Sequence, residues 1–209
     1  MPLGLKHRSD IPTYAIKDIY DRLSDIFGKD DVVIIGGRAV NIYCFNSKRD
    51  THDVDVVVSK KPSEIEDFDV KALEMGMIPR TQGSEIVGVN DNYSGAQIDF
   101  FYKDNVGGVE RSDILETALE RTLTKEGTVR VVHPGYLVLI KYTAGRDKDW
   151  DDIRNIMRNM YNSSPAKFFK EEEGKIRKYI PDQEQLQLFA KELTNAMQVT
   201  GRLRSAFRN

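Results

Sequence analysis

The sequence is poor in cysteine and has no long apolar run. Cys44 is the single cysteine in 209 residues, so the chain can form neither an internal disulfide nor a thiolate metal cage, as is common in a reducing compartment. No apolar run approaches the ~20 residues that a membrane-spanning helix needs. The N-terminal sequence MPLGLKHRSDIP also lacks the ~7 to 15 apolar residues of a signal-peptide core. We therefore expect a cytoplasmic protein with no membrane partner.

The formal charge is nearly balanced, with a net value of −2. This value argues against a globally basic nucleic-acid-binding protein. The C-terminal sequence TGRLRSAFRN is locally basic. We favour a solvated helix end for this tail over a binding patch.

Hydrophobic periodicity divides the chain into two parts. Up to residue 132, short apolar strands alternate with amphipathic helices, and after the turn that begins at His133 the pattern is helical throughout. The predicted strands are DVVII, DVDVVV, SEIVGVN, GAQIDFFY and TVRVV. The helices predicted in the first part are TYAIKDIYDRLSDIFGKD, RAVNIYCF, SEIEDFDVKALEMG and RSDILETALERTLT. We predict an α+β protein with an α/β core at residues 1–132 and a helical region at 133–209.

The sequence DVDVVV places two like charges at the start of a predicted buried strand. Because alternate side chains share one face of a strand, Asp53 and Asp55 should lie side by side, with Cβ atoms ~7 Å apart. Two such anions repel each other unless a cation lies between them, and Mg²⁺ prefers one or two carboxylates together with substrate phosphates. These aspartates are therefore candidate metal ligands, the alternative being that they are solvated strand residues.

Asp99 is an acidic residue in the largely apolar segment QIDFFY. If its strand neighbours DVDVVV, Asp99 becomes a third carboxylate. Three acids on two strands could hold two metal ions ~3.5 to 4 Å apart, an arrangement that supports in-line displacement at phosphorus. A solvated position on an exposed strand face is again the alternative.

The glycine pair Gly36-Gly37 lies between a predicted strand and a predicted helix. Glycines there let a phosphate approach the backbone N–H groups of a helix N-terminus. A plain strand-turn-helix also uses glycine, so this signal is weak alone. A dinucleotide-binding Rossmann motif fits poorly, since GGRAVN is not G-x-G-x-x-G and one ribose-binding acid would explain only one of the two aspartates.

Four segments together resemble the nucleotidyltransferase superfamily, whose fold is shared with DNA polymerase β. They are GGRAV, RDTHDVDVVV, QIDFF and KYTAGRDKDWDDI, and the resemblance covers about residues 30 to 155. The sequence is similar, more narrowly, to the AbiEii-like abortive-infection toxin nucleotidyltransferases, which carry a GG-x-A turn and an Arg-x-Thr-x-Asp-x-Asp segment. This resemblance implies a nucleotidyltransferase palm with a small mixed β-sheet and flanking helices, followed by a C-terminal helical region.

The resemblance also implies individual roles. Asp53 and Asp55 would bind Mg²⁺ or Mn²⁺, and Asp99 would be the third metal-binding carboxylate and candidate base. Nucleotide-binding roles are implied for Gly36, Gly37, Arg49, Thr51 and Lys141. The wider superfamily has Gly-Ser in the turn, so Gly37 removes a hydroxyl that could hold the γ-phosphate, although the toxin-like branch shares Gly-Gly.

The expected activity is transfer of a nucleoside monophosphate from an NTP to an acceptor hydroxyl. The acceptor stays open between an RNA end, such as tRNA, a protein and a small molecule, and an antitoxin partner is also implied. The alternative is a non-catalytic nucleotide-binding or toxin-antitoxin partner that retains the fold.

The segment from Lys141 to Asp152 is ambiguous. A lysine that snorkels from an apolar helix and a phosphate-binding lysine are equally good interpretations of Lys141. We favour surface ion pairs over catalysis for the charged residues Arg146, Lys148, Asp149 and Asp152.

Overall fold

The computed structural model describes residues 12–44, 51–124 and 127–206. These residues form a mixed α/β structure, which confirms the predicted fold class. The α-helices are α1 (Thr13–Phe27), α2 (Gly36–Tyr43), α3 (Phe68–Glu74), α4 (Arg111–Glu116), α5 (Pro134–Ala144), α6 (Asp147–Met160), α7 (Pro165–Tyr179) and α8 (Gln183–Ala206). The strands are β1 (Val32–Ile34), β2 (Asp53–Val58), β3 (Met77–Gln82), β4 (Glu85–Asp91), β5 (Gln97–Phe101), β6 (Asn105–Val106), β7 (Val109–Glu110), β8 (Leu119–Thr124) and β9 (Gly127–Val131).

Within the described ranges, the main sheet has seven strands in the order β3-β4-β5-β2-β1-β9-β8. It is mixed, because β2 pairs parallel with β5 and antiparallel with β1, and β1 pairs parallel with β9. β6 and β7 form a separate two-stranded ribbon. The central strands β1 and β2 are rich in buried valine, as expected for strands that are covered on both faces.

One hydrophobic core cluster extends from α1 through the sheet to the C-terminal helices. Representative members with 0% exposure are Leu23, Val57, Leu137, Phe168 and Phe189. The aromatic rings of Phe168 and Phe189 meet edge-on with centroids 6.3 Å apart. The core is therefore continuous across residue 132, and the division into two domains there stays a prediction.

The segment 111–124 differs from the predicted single helix. Its first part forms α4, which ends at Glu116, and its second part forms the strand β8. β8 pairs antiparallel with β9, with Arg121 opposite Val129. The β-branched Thr122 and Thr124 suit a strand, and the pairing with β9 outweighs the helical spacing of the apolar residues.

Two further differences surround α3. The predicted helix start at Ser63 is wrong, because a 3₁₀ turn spans Pro62–Glu64 and α3 begins at Phe68. In that turn the backbone N–H of Lys61 donates to Glu64 Oε2 at 3.0 Å. Strand β3 has no counterpart among the predicted strands, and it contains Pro79. Proline is tolerated there because β3 is an edge strand.

None of the helices in the described part of the chain is both long enough and apolar enough to cross a membrane.

Candidate active site

The pairing of β2 with β5 brings the three predicted carboxylates to one face of the sheet. Asp55 lies opposite Asp99, and Asp53 lies opposite Gln97. Neighbouring strands are ~4.8 Å apart and alternate residues share a face, so the three aspartates form one group. Asp53 is exposed, whereas Asp55 and Asp99 are half-buried. The sheet thus gathers acids from two segments that are well separated along the chain.

The surroundings of Asp55 disfavour its negative charge. Burial raises the pKa of Asp55 above its ordinary value, and the charges of Asp99 and Asp53 raise it further. The positive charges of Lys141 and Arg146 act in the opposite direction, but they do not offset the rise in the pKa. A divalent cation beside these carboxylates would reverse the preference and favour the ionised form. The oxygen donors of Asp53 and Asp55 therefore fit a hard cation such as Mg²⁺ or Mn²⁺.

Gly36 lies directly against Asp55. The backbone N–H of Ile35 donates to the Asp55 carbonyl at 2.9 Å, which joins the end of β1 to β2, and α2 begins at the next residue. Gly36 has a φ of +65°, and a Cβ atom placed on it would lie 1.9 Å from Asp55 Oδ2. Both the left-handed backbone and the lack of space require glycine here. Gly37 follows as a buried residue in the first turn of α2.

Asp99 is held by two side chains on its own sheet. The guanidinium of Arg80 on β3 forms an ion pair with Asp99 Oδ1. The Gln97 amide Nε2 lies 3.3 Å from the same oxygen. In this conformation, no three His, Cys, Asp or Glu side chains among the residues described are close enough to hold a metal ion. The assignment of Asp53, Asp55 and Asp99 as metal ligands therefore stays a prediction.

Arg49 lies outside the described residues. Thr51 immediately precedes β2, and its Oγ1 lies 3.4 Å from the Asp53 carbonyl. The Thr51 carbonyl accepts a hydrogen bond from the guanidinium of Arg38, which is buried in α2. Arg38 therefore joins the start of β2 to the helix that carries the glycine pair. Sequence reasoning missed this role, although Arg38 directly follows that pair.

Lys141 is buried, which rules out the snorkelling interpretation. Its Nζ lies 3.2 Å from Asp149 Oδ1 and 2.9 Å from Asp152 Oδ2. Both carboxylates are buried, with side-chain exposures of 0% and 1%, so the interpretation of Asp149 and Asp152 as surface pairs is wrong. Although burial raises the pKa of Asp149, hydrogen bonds from Arg146 and Lys141 and their charges bring it below its ordinary value. These contacts join α5 to α6 beside the carboxylate group.

We expect Lys141→Met to destabilise the fold strongly at neutral pH. The substitution keeps the apolar stem but leaves two buried carboxylates without their ammonium partner, a change that typically costs about 3 to 5 kcal/mol. Urea denaturation at pH 7 measures the loss, and Lys148→Met, at an exposed position on α6, is the matched control. Equal unfolding midpoints for both variants would show that the buried pairs do not stabilise the protein.

The sequence matches a known protein family, and the fold is similar to that of two solved structures. Residues 16–198 match the family described as "Nucleotidyl transferase of unknown function (DUF2204)". The structure is similar to an antigenic nucleotidyltransferase-like protein from Paracoccidioides brasiliensis, with 18% identity over 89% of this chain and 92% of that chain and a TM-score of 0.52. It is also similar to the antibiotic-resistance factor ANT(2'')-Ia, with 10% identity over 81% of this chain and 95% of that chain and a TM-score of 0.50.

No curated protein matches the sequence. At such low identities the two solved structures show a common fold. The predicted nucleotidyltransferase superfamily is confirmed, whereas the narrower similarity to AbiEii-like toxins stays a prediction. The family match covers most of the chain, and this protein therefore belongs to the DUF2204 family of nucleotidyl transferases.

Proposed function

We propose that this protein is a metal-dependent nucleotidyltransferase, which transfers a nucleoside monophosphate from an NTP to an acceptor hydroxyl. The observation that carries the proposal is the position of Asp53, Asp55 and Asp99 on one face, with Gly36 in direct contact with Asp55. Membership in a family of nucleotidyl transferases supports the same reaction class. Three carboxylates on one face of a sheet repel one another in the absence of a cation, a cost that a purely structural sheet would have no need to accept.

Asp53 and Asp55 would hold Mg²⁺ or Mn²⁺, which when bound offsets the negative charge of the triphosphate. In this proposal the backbone N–H groups of Gly36 and Gly37, at the start of α2, bind the β- and γ-phosphates. Asp99 accepts the proton of the acceptor hydroxyl as the hydroxyl oxygen attacks the α-phosphorus. A new P–O bond forms, the bond between the α-phosphorus and the bridging oxygen breaks, and pyrophosphate leaves with that electron pair.

The other predicted residues have supporting roles in this proposal. By the family resemblance, Arg49 and Thr51 would support the nucleotide site; of the two, Thr51 is among the described residues, and its carbonyl accepts a hydrogen bond from Arg38. Lys141 lies close enough to act electrostatically on Asp55. Because the Lys141 ammonium is bound by two buried carboxylates on α6, it shapes the potential at the nucleotide site rather than binding a phosphate directly.

We propose that the helical region from residue 133 onward selects the acceptor, since α5 and α6 border the carboxylates. A small-molecule acceptor is suggested by the common fold with an antibiotic-resistance factor. An RNA end, such as tRNA, and a protein are the other two acceptor classes. Incubation with Mg²⁺, each labelled NTP and each acceptor class in turn tests all three.

Asp99→Asn separates a catalyst from a non-catalytic nucleotide-binding partner, such as a component of a toxin-antitoxin pair. In a catalyst, Asp53 and Asp55 suffice to hold the NTP and its metal, whereas Asp99 serves the acceptor. We therefore expect calorimetric NTP binding within a few-fold of wild type, and a transfer rate lower by at least ~10², the lower range for the loss of a positioned base.

The control for this experiment is Asp104→Asn, at a fully exposed position after β5, which should leave binding and transfer unchanged. Equal transfer rates for wild type and Asp99→Asn would remove Asp99 from the reaction. Absence of transfer by wild type with every acceptor class would favour the non-catalytic alternative.

A further inference from the structure

Arg80 crosses a strand to reach the third carboxylate of the site. It lies on β3, opposite Gly88 on β4, and Gly88 in turn lies opposite Asp99 on β5. The three residues therefore form one row across three strands. The guanidinium binds Asp99 Oδ1, and its Nη2 also donates to the Ile98 carbonyl at 3.1 Å.

Gly88 provides the space for this crossing. A Cβ atom placed on Gly88 would lie 2.6 Å from Arg80 Nη2 and 2.1 Å from the Ile98 carbonyl oxygen. The pairing of β3 with β4 also shifts register between Arg80 and Thr81, and such irregularities redirect side chains. The missing side chain and the shifted register together direct Arg80 to Asp99.

Building on the proposed function, we infer that the Arg80 guanidinium occupies the position beside Asp99 that a second metal ion would otherwise take. The active site would then bind one divalent ion, at Asp53 and Asp55, rather than two. A guanidinium stays protonated at every physiological pH, so Asp99 Oδ1 carries its own positive partner. That charge repels a second divalent ion from the same carboxylate.

The burial of the pair agrees with this assignment. The Arg80 side chain is 23% exposed and Asp99 is 33% exposed, so the ion pair is partly shielded from solvent while one edge of Asp99 stays open. The Gln97 amide, 3.3 Å from Oδ1 and 3.4 Å from Oδ2, further restrains the carboxylate. Arg80 is thus a positioning residue, which orients Asp99 towards the acceptor hydroxyl.

The test counts bound Mn²⁺ on the full-length chain in the presence of a non-hydrolysable NTP analogue. Titration calorimetry and electron paramagnetic resonance should find one Mn²⁺ per chain in wild type. Arg80→Gln frees the Asp99 oxygen and should admit a second ion, visible as dipolar coupling between two ions ~3.5 to 4 Å apart. Arg80→Lys keeps the positive charge and should stay at one ion.

Arg154→Gln is the matched control, because Arg154 forms an ion pair with Asp151 on α6 and its side chain is 21% exposed. It should also stay at one ion. Two coupled ions in wild type would overturn the inference without any variant, and so would a single ion in folded Arg80→Gln. If wild type binds neither the analogue nor Mn²⁺, the proposed function itself fails and the inference fails with it.

Discussion

Asp55→Asn is expected to abolish metal-dependent NTP binding and, at the same time, to raise the thermal stability of the free protein. Binding should fall by more than the ~10- to 100-fold that loss of an outer-shell partner costs, since Asp55 would be a direct ligand. The stability gain has a separate origin. Asparagine keeps the shape of the side chain but removes a charge that its surroundings disfavour.

The direction of the stability change follows from the pKa of Asp55. Burial first, and then the neighbouring charges of Asp99 and Asp53, raise this pKa in the folded state. Such a group contributes stability that is fully present below its unfolded pKa and is lost as the pH rises through its folded pKa. Neutral pH lies above the unfolded pKa of an aspartate, so the Asp55 carboxyl there costs the fold stability, whereas the neutral amide introduced by Asp55→Asn does not.

Asp91→Asn is the control with the opposite expected sign. Burial alone would raise the pKa of Asp91, but hydrogen bonds from Arg22 and Ser94 lower it overall. Its contribution to stability is present above the unfolded pKa and is lost as the pH falls through the folded pKa. Asp91→Asn should thus lower the melting temperature at pH 7, where Asp55→Asn raises it.

Thermal melts of both variants at pH 7, with and without Mg²⁺ and an NTP, measure the two effects together. Wild type should gain stability from the ligands, by about 2.7 kcal/mol at a hundredfold excess over Kd, and Asp55→Asn should gain none. An undiminished ligand-induced shift in Asp55→Asn would exclude Asp55 as a metal ligand.

The strand that carries two of the acids could be predicted to the residue. DVDVVV forms β2 with the predicted bounds, because its valines favour a strand and a short apolar run of this kind is typical of a buried one. That Asp55 lies beside Asp99 could be predicted only on the condition that their two strands are neighbours. It depends on the parallel pairing of β2 with β5, which local periodicity does not specify.

The residues that reasoning from the sequence missed depend on contacts between distant elements. Arg80 lies near Asp99 because β3, β4 and β5 are neighbours in the sheet. Strand β3 was not predicted, because a proline such as Pro79 argues against a strand in the sequence pattern. Asp149 has the spacing of a surface ion pair with its neighbour three positions earlier, yet it is buried because Lys141 on another helix compensates it. Aspartate is seldom buried without such a partner, so its sequence pattern alone indicates exposure.

Gly36→Ala should displace the Asp55 carboxylate and severely reduce nucleotide transfer. The new Cβ would overlap Asp55 Oδ2, at 1.9 Å, and also approach Asp55 Cβ at 2.9 Å. The carboxylate must therefore move by about an ångström or the start of α2 must shift. Because a displacement of ~1 Å in a catalytic group can reduce the rate ~10²-fold, we expect a loss of transfer of that order.

Gly83→Ala separates this overlap from ordinary backbone strain. Gly83, between β3 and β4, has a φ of +62° against +65° for Gly36, but a Cβ there would meet no atom within 4 Å. Both substitutions should lose the ~1 to 2 kcal/mol of a left-handed non-glycine residue, measured by urea denaturation. Only Gly36→Ala should lose more stability than this, and only it should lose NTP binding and transfer. Equal transfer rates in the two variants would mean that contact between Gly36 and Asp55 is not needed to place the carboxylate.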